Sequence, residues 1–191
     1  MSYKTYITEA LVCGSKASNT SDRSYLLFTR EAGMLYAQAK SVREERSKQR
    51  FALQEFSYVR STLIHGKSGW RIAGVEPILN LYAEAHTREA RALVRNSIVL
   101  LRRFLTGADP HESLFDDVLR TLVASREAYV SYTELVLTVR VLYALGYIAP
   151  QAVHKDVLDA EDVIAVARTI TPEIARACEK AIDHAHKESQ L

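Results

Sequence analysis

Apolar and polar residues alternate along the first 77 residues, and this period of two predicts five β-strands. The predicted strands are residues 6–12, 23–29, 35–40, 52–64 and 70–76. The Ser-, Asn- and Asp-rich segment 14–22 predicts a loop, and Gly33 predicts a tight hairpin turn at positive φ. Pro77 is expected to close the β region, because proline cannot donate to a sheet.

In the third predicted strand, apolar and polar side chains fall on opposite faces. One face carries Leu35, Ala37 and Ala39, and the other, which we expect to point outward, carries Tyr36, Gln38 and Lys40. Five strands with loops of unequal length favour a small Greek-key barrel of OB type, which limits exposed edges. An SH3-like barrel fits the strand count nearly as well.

From Ile78 onward the apolar period changes to 3.6, which predicts α-helices. Three apolar faces lie within residues 93–105, 114–123 and 135–143; Gly107 and Pro110 end the first helix and Gly146 caps the third. A short helix is expected at 160–168, and Thr171-Pro172-Glu173 predicts the start of the last one. The expected fold is therefore α+β, an OB-fold barrel at residues 1–77 followed by an α-helical bundle at 78–191.

The charge is distributed unequally between these two parts. Residues 1–77 contain 12 Lys and Arg against 7 Asp and Glu, whereas residues 78–191 contain 13 against 16. A basic barrel indicates a polyanionic partner. The modest excess favours salt-sensitive phosphate contacts over tight base recognition.

Composition excludes several classes of protein. The chain is 48% hydrophobic, enough for real cores, yet it has no apolar run long enough to cross a membrane and no secretory signal at its start. We therefore expect a soluble cytoplasmic protein. Cys13 and Cys178 lie far apart in sequence, which predicts two buried thiols and no disulfide or cysteine zinc site.

The segment 40–50 carries five cations and two acids, and it directly follows the outward-facing Tyr36. Cations beside an aromatic ring can bind single-stranded nucleic acid, because the cations neutralise phosphates while a base stacks on the ring. A solvated loop and a rim aromatic would have the same composition. Arg60, Lys67 and Arg71 would extend the basic path, although the sequence does not tell on which side they fall. The candidate nucleic-acid-binding residues are Arg23, Arg30, Tyr36, Lys40, Arg43, Arg46, Lys48 and Arg50.

Signals for catalysis are absent from the sequence. It contains no Gly-rich phosphate loop, no nucleophile elbow and no pair of histidines spaced for a metal. His184 and His186 diverge on a helix, and the adjacent Asp116 and Asp117 are expected to be solvated. We therefore expect no enzyme activity, no cofactor and no metal.

The order of several motifs resembles the RecO family of bacterial DNA repair proteins. The motifs in the barrel are Glu9-Ala10-Leu11-Val12, Ser21-Asp22-Arg23, the run from Leu27 to Gly33, the run from Ala39 to Arg43, and the run from Leu53 to Ser57. The run from Trp70 to Glu76 resembles the closing strand, and the run from Leu142 to Pro150 resembles a helix end that commonly precedes a cysteine-rich zinc segment. Here the residues directly after Pro150, Gln151 to Lys155, contain no cysteine, so the resemblance is to a short form without structural zinc.

This resemblance implies a non-catalytic recombination mediator in DNA repair. Such a protein binds single- and double-stranded DNA, anneals complementary strands and helps to load the RecA recombinase. The implied partners are RecR and the C-terminal tail of the single-strand-binding protein, with RecA reached indirectly and no membrane involved. The implied location is the cytoplasm, in association with the nucleoid. Arg23, Arg30, Lys40 and Arg43 lie inside the family-like motifs, whereas Arg46, Lys48 and Arg50 are candidates by charge alone.

A different class of function also fits. In this alternative the protein is a non-catalytic adaptor that binds RecR and the single-strand-binding protein tail and has little DNA affinity of its own. The sequence does not distinguish a preference for single strands from one for duplex, and it does not identify the helical residues that would bind the tail.

Overall fold

The computed structural model describes residues 4–18, 20–44 and 47–189. Within this part of the chain, five strands close into a barrel in the order β1-β2-β3-β5-β4. The strands are β1 (Lys4–Ala17), β2 (Arg23–Thr29), β3 (Gly33–Ala39), β4 (Ser57–Gly66) and β5 (Gly69–Asn80). β3 and β5 are parallel, and the other pairs are antiparallel. This arrangement confirms the OB-type barrel.

The alternation of β3 is confirmed. Leu35, Ala37 and Ala39 are buried in the barrel core, while Tyr36 and Gln38 are exposed on the other face. Gly33 has a φ of +63°, as the predicted turn requires. The face of β3 that carries candidate chemistry therefore points to solvent.

The largest differences from the predicted strand ends are in three places. β1 continues through Gly14 to Ala17, because that segment pairs with β2 after a bulge. The expected fourth strand begins only at Ser57, because residues Gln49–Ala52 form a short helix, α1, and Leu53 enters the barrel core. β5 runs past Pro77, which lies beside a register shift where its missing N–H is tolerated.

The chain folds into two compact units. The barrel unit is Met1–Glu84 with Thr106–Phe115, and the helical unit is Ala85–Leu105 with Asp116–Leu191. The segment Thr106–Phe115 packs on the β2–β3 hairpin, since the Met34 N–H donates to the Gly107 carbonyl at 3.0 Å and the Phe28 and Phe115 rings meet at 5.2 Å. The barrel unit is therefore completed by a segment that is distant in sequence.

The helices after α1 lie between residues 88 and 188. They are α2 (Arg88–Phe104), α3 (Glu112–Ala124), α4 (Thr133–Ala144), a 3₁₀ turn (Pro150–Ala152), α5 (Lys155–Asp159), α6 (Val163–Thr169) and α7 (Pro172–Glu188). The start signal of α7 is confirmed, because the Thr171 hydroxyl accepts a hydrogen bond from the Ile174 N–H. Gly146, at a φ of +80°, follows the end of α4 as predicted. α5 has no counterpart in the sequence prediction.

The expectation that Asp117 is simply solvated is wrong. Its carboxylate accepts a hydrogen bond at 3.2 Å from Arg140, a guanidinium whose side chain is only 6% exposed. Asp117 lies at the half-buried edge of α3, where the sequence pattern does not reveal a partner on α4. Both cysteines are buried as free thiols, as expected.

Candidate nucleic-acid interface

A row of polar side chains crosses four strands of the barrel. Strand register places Lys16 opposite Ser24, Ser24 opposite Gln38, and Gln38 opposite Arg71. Directly paired residues share a face of a sheet, so the row lies on the same outer face as Tyr36. This face of β2 and β3, with the loops that flank it, is where OB folds bind oligonucleotides.

An open cleft lies at one end of this row. It has a volume of about 500 Å³, and its cations come from three elements: Lys40 after β3, Lys67 in the β4–β5 turn, and Arg71 on β5. Gln38 and Trp70 also line it. Among the described residues that line the cleft, none is acidic. We call this site the β3–β5 cleft; it attracts anions because its positive charges are not balanced within it.

Tyr36 lies on the same outer face as this row. Its side chain is 49% exposed, and the Lys16 Nζ lies 4.0 Å from the centre of its ring. An ammonium group over one side of an aromatic ring is a cation–π contact, which holds the ring in place. An exposed, positioned ring beside cations is suited to stacking on a nucleobase.

Trp70 supports the wall of the β3–β5 cleft from within. Its ring contacts the Tyr6 ring at 5.1 Å and the His65 ring at 4.6 Å, and it packs partly against the barrel core. Strand register pairs Trp70 with Ala37, whose side chain is fully buried. Trp70 is therefore an anchor for the cleft, while the exposed Tyr36 presents the free aromatic surface.

The basic segment after β3 is fixed at its start. The Asp22 carboxylate accepts a hydrogen bond from the Ser41 N–H at 2.8 Å, and the Arg43 N–H donates to the Ser21 carbonyl at 3.1 Å. Val42 between them is buried in the barrel core. These contacts join the segment to the β1–β2 loop, so Lys40 and Arg43 project from a defined backbone.

A second concave site contains three of the sequence candidates. Arg23, Arg43 and Arg50 line a cleft of about 450 Å³ together with Tyr25 and Glu55. Burial raises the pKa of the Tyr25 hydroxyl, and the neighbouring Arg23 guanidinium opposes that shift without cancelling it. The buried Arg23 Nε has no hydrogen-bond partner among the described residues. We call this site the arginine cleft; an anion there would satisfy the unpaired N–H.

The two clefts flank the same end of β3. Arg23 is in register with Ala39, the residue that precedes Lys40, and Lys40 is three residues before Arg43. A nucleic-acid backbone that follows this end of the barrel would meet cations on both sides of β3. The site would act without covalent chemistry, by neutralising phosphates and stacking bases.

The remaining candidates are placed elsewhere or outside the described residues. Arg30 lies 3.2 Å from Glu112 in an ion pair and lines a different cleft together with Glu9 and Glu31. Lys48 is exposed just before α1. Arg46 falls outside the described residues, so the structure does not place it.

The sequence did not identify Lys16 as a candidate. It also did not show on which face of the barrel Lys67 and Arg71 lie. Lys16 was assigned to a loop, because the Ser-rich residues after it obscure the end of β1. Arg71 and Gln38 are far apart in sequence and become neighbours only through the parallel pairing of β3 with β5. Alternation along β5 was a partial signal, since Ile72 is buried and Arg71 exposed.

No helix in the described part of the chain is long and apolar enough to cross a membrane. Among the same residues, no group of three or more His, Cys, Asp or Glu side chains is arranged to hold a metal ion.

The chain is similar to two curated bacterial proteins. The chain is 29% identical over 145 residues to proteins named DNA repair protein RecO from two strains of Desulfitobacterium hafniense, DSM 10664 / DCB-2 and Y51. The alignment covers 74% of this chain and 52% of each relative, so the chain spans about half the length of the curated relatives it matches. No family model matches the sequence. The relatives carry the name of the family that the sequence motifs resemble.

Proposed function

We propose that the protein is a non-catalytic DNA-binding mediator of recombination in DNA repair, which binds single- and double-stranded DNA through its barrel. The observation that carries the proposal is the polar row from Lys16 to Arg71, with the exposed Tyr36 beside it and Lys40 and Lys67 at its end. The similarity to RecO proteins supports the repair role.

The proposed mechanism is annealing by charge neutralisation. Two complementary strands repel each other through their phosphates, and cations of the β3–β5 cleft and the arginine cleft reduce that repulsion. Stacking on Tyr36 holds a base unpaired and accessible. The strands then pair without a bond being made or broken by the protein.

The proposed partners are RecR and the C-terminal tail of the single-strand-binding protein, and through them RecA. They are the partners that the resemblance to the RecO family implies. A titration with an acidic, apolar-ended tail peptide tests this part. Binding of the peptide by a protein with negligible DNA affinity would favour the adaptor function instead.

The DNA-binding part is tested by fluorescence anisotropy of a labelled single-stranded oligonucleotide over a series of salt concentrations. Changing Lys40, Lys67 and Arg71 together to Ala should weaken binding and reduce the slope of log affinity on log salt by about 2, since each single-strand phosphate contact contributes about 0.7. The single change Arg71→Ala is compared with Arg60→Ala, which is its matched control. Both are exposed barrel arginines, but Arg60 is in register with Glu9 and Glu76 and lies outside both clefts. Equal effects of the two single changes would remove the β3–β5 cleft from the proposal.

Stacking is tested at Tyr36 with two substitutions. Tyr36→Ala should weaken single-strand binding about tenfold, because stacking of one base on an aromatic ring contributes about 1–3 kcal/mol. Tyr36→Phe keeps the ring and should bind as the wild type does. If both variants bind normally, Tyr36 covers the barrel surface and contacts no base.

A further inference from the structure

The helix α2 carries an exposed face made of arginine. Its sequence from Arg88 to Phe104 contains five arginines and one acid, Glu89. On a helix of 3.6 residues per turn, all five arginines fall on one side, opposite the buried Leu93, Ser97 and Leu101. The members of this arginine face are Arg88, Arg91, Arg95, Arg102 and Arg103, and each is exposed.

Helix stability accounts for Arg102 and Arg103, which lie in the last turn where the helix dipole favours cations, but it does not account for the other three arginines. Arg88 and Arg91 lie in or next to the first turn, where the positive end of the helix dipole disfavours cations. Arg91 and Arg95 are four residues apart, a spacing at which like charges destabilise a helix. Each arrangement is unfavourable by a few tenths of a kcal/mol, roughly. Local rules broken without compensation point to a binding role.

Two arginines of this face donate hydrogen bonds to uncharged groups rather than to carboxylates. Glu89 points to the side, where it and Glu134 add to the effect of burial in raising the pKa of Tyr129. The Arg91 Nε donates to the Ala85 carbonyl at 3.1 Å, and the Arg95 Nε to the Asn96 side chain at 3.2 Å. Among the described residues, no carboxylate forms an ion pair with Arg88, Arg91 or Arg95.

The dimensions and chemistry fit a phosphate backbone. Arg88 and Arg102 are about 21 Å apart along the helix axis at 1.5 Å per residue. One strand of duplex DNA presents about six phosphates over that length. The cations of α2 are all arginine, whose planar guanidinium matches phosphate geometry better than lysine does. Val99, exposed at the centre of the face, is its one large apolar member among the described residues and makes it a poor groove for an apolar partner.

We propose that the arginine face of α2 is a second binding surface for a nucleic-acid backbone, located in the helical unit. The proposal rests on the proposed function, since the ligand class is the same. The proposal adds a second nucleic-acid strand, because one protein molecule would hold one nucleic-acid strand on the barrel and another on α2. Two strands on one molecule are brought to a high effective concentration, which favours their pairing.

The experiment measures how many short, non-complementary single strands bind per chain, by isothermal titration of the full chain. The α2 variant changes Arg88, Arg91 and Arg95 to Ala. A matched control changes Arg168, Lys180 and Lys187 to Ala, three exposed cations of the same unit on other helices. The barrel variant changes Lys40, Lys67 and Arg71 to Ala. Circular dichroism of each variant verifies that the helices are retained.

We expect the wild type and the matched control to bind two strands per chain, and the α2 variant and the barrel variant to bind one. The α2 variant should also reduce the salt slope by about 2. An α2 variant that still binds two strands overturns this inference and leaves the barrel function intact. A wild type that binds none overturns both. If the α2 variant keeps both strands but loses binding to poly-glutamate, the face recognises acidic proteins, which also overturns the inference.

Discussion

Arg140 shows how one buried charge organises the residues around it. Its side chain lies on α4, donates to the Val157 carbonyl at 2.8 Å and the Ala160 carbonyl, and pairs with Asp117 at 3.2 Å. A buried guanidinium is tolerated only when its donors are satisfied, and here two backbone carbonyls and a carboxylate do so. The residues that follow α4 are therefore held by a polar contact in addition to apolar packing.

Replacing Arg140 should destabilise the protein strongly. Arg140→Met removes the buried partner of Asp117 and leaves two carbonyls without their Arg140 donor, so we expect the free energy of unfolding to fall by about 3 kcal/mol. Urea denaturation followed by circular dichroism measures this change. Arg120→Ala is the control, because Arg120 pairs with the same Asp117 at 3.8 Å but its side chain is 59% exposed, and its loss should change stability by less than about 0.5 kcal/mol. Similar losses for both variants would contradict the role assigned to Arg140.

His186 should make stability depend on pH. Its ring packs against Phe104 at 5.1 Å; burial lowers the pKa of His186 below 6.5, and the charge of Arg103 lowers it further, although Asp183 opposes this. The unfolded chain therefore binds the proton more readily, so stability is full above a pH of about 6.5 and is lost as the pH falls below it. His186→Gln should reduce this loss, as measured by urea denaturation across that pH range. His184→Gln should retain the wild-type pH dependence, because His186 is still present. If His186→Gln leaves the loss of stability at low pH unchanged, that loss arises from other groups.

At the scale of elements, the β2–β3 hairpin and the segment Thr106–Phe115 depend on each other. The hairpin turn places Gly33 against the backbone of Asp109, where a Cβ on Gly33 would lie only 2.3 Å from the Asp109 carbonyl oxygen. The Arg30–Glu112 ion pair joins the same two pieces at 3.2 Å. Arg30 thus has a structural role that the resemblance alone does not suggest.

The close approach at Gly33 makes a substitution there costly. Gly33→Ala meets both an unfavourable positive φ and a backbone contact, so we expect a loss of more than about 2 kcal/mol in thermal or urea unfolding. Gly69→Ala is the matched control: Gly69 also has a positive φ, +97°, but nothing lies within 4 Å of its added Cβ. It should show only the backbone part of the loss, about 1 kcal/mol. Equal losses of unfolding free energy for the two variants would mean that the segment Thr106–Phe115 moves away from the added Cβ without destabilising the protein.

At the scale of the whole molecule, the chain passes between its two units more than once. It leaves the barrel unit after Glu84, returns for Thr106–Phe115 and then continues in the helical unit from Asp116. α3 contains this last boundary, since it begins at Glu112. Phe115 is fully buried and packs on Phe28 of β2. Unfolding of one unit therefore releases a segment that is continuous with the other.

This path predicts that the two units unfold together. Trp70, the one tryptophan of the chain, reports on the barrel, and circular dichroism reports mainly on the helices. Phe115→Ala should lower both unfolding midpoints by the same amount, with a loss of about 3 kcal/mol from the cavity it leaves. Phe51→Ala, at a phenylalanine that is 63% exposed, should change both by less than about 0.5 kcal/mol. Two separate midpoints would show that the units are independent.

Local pattern accounts for much of the fold. The alternation of Leu35, Ala37 and Ala39 with their polar neighbours, the turn at Gly33 and the start of α7 at Thr171 all depend on residues close together in sequence. The structure confirms each of them. The helix α5 and the late start of β4 were not predicted, because short helices depend on tertiary packing more than on their own sequence.

The sequence by itself determined the barrel, the helices that follow it and a basic segment after β3, because strand and helix periods and charge runs are local properties. Only the tertiary structure decided which polar and charged side chains lie next to one another. Lys16, Gln38 and Arg71 form one row through strand pairing, Arg30 is drawn to Glu112, and Asp117 receives the buried Arg140. The physical reason is that these contacts join residues from distant parts of the chain, and register and packing set them after the local elements have formed.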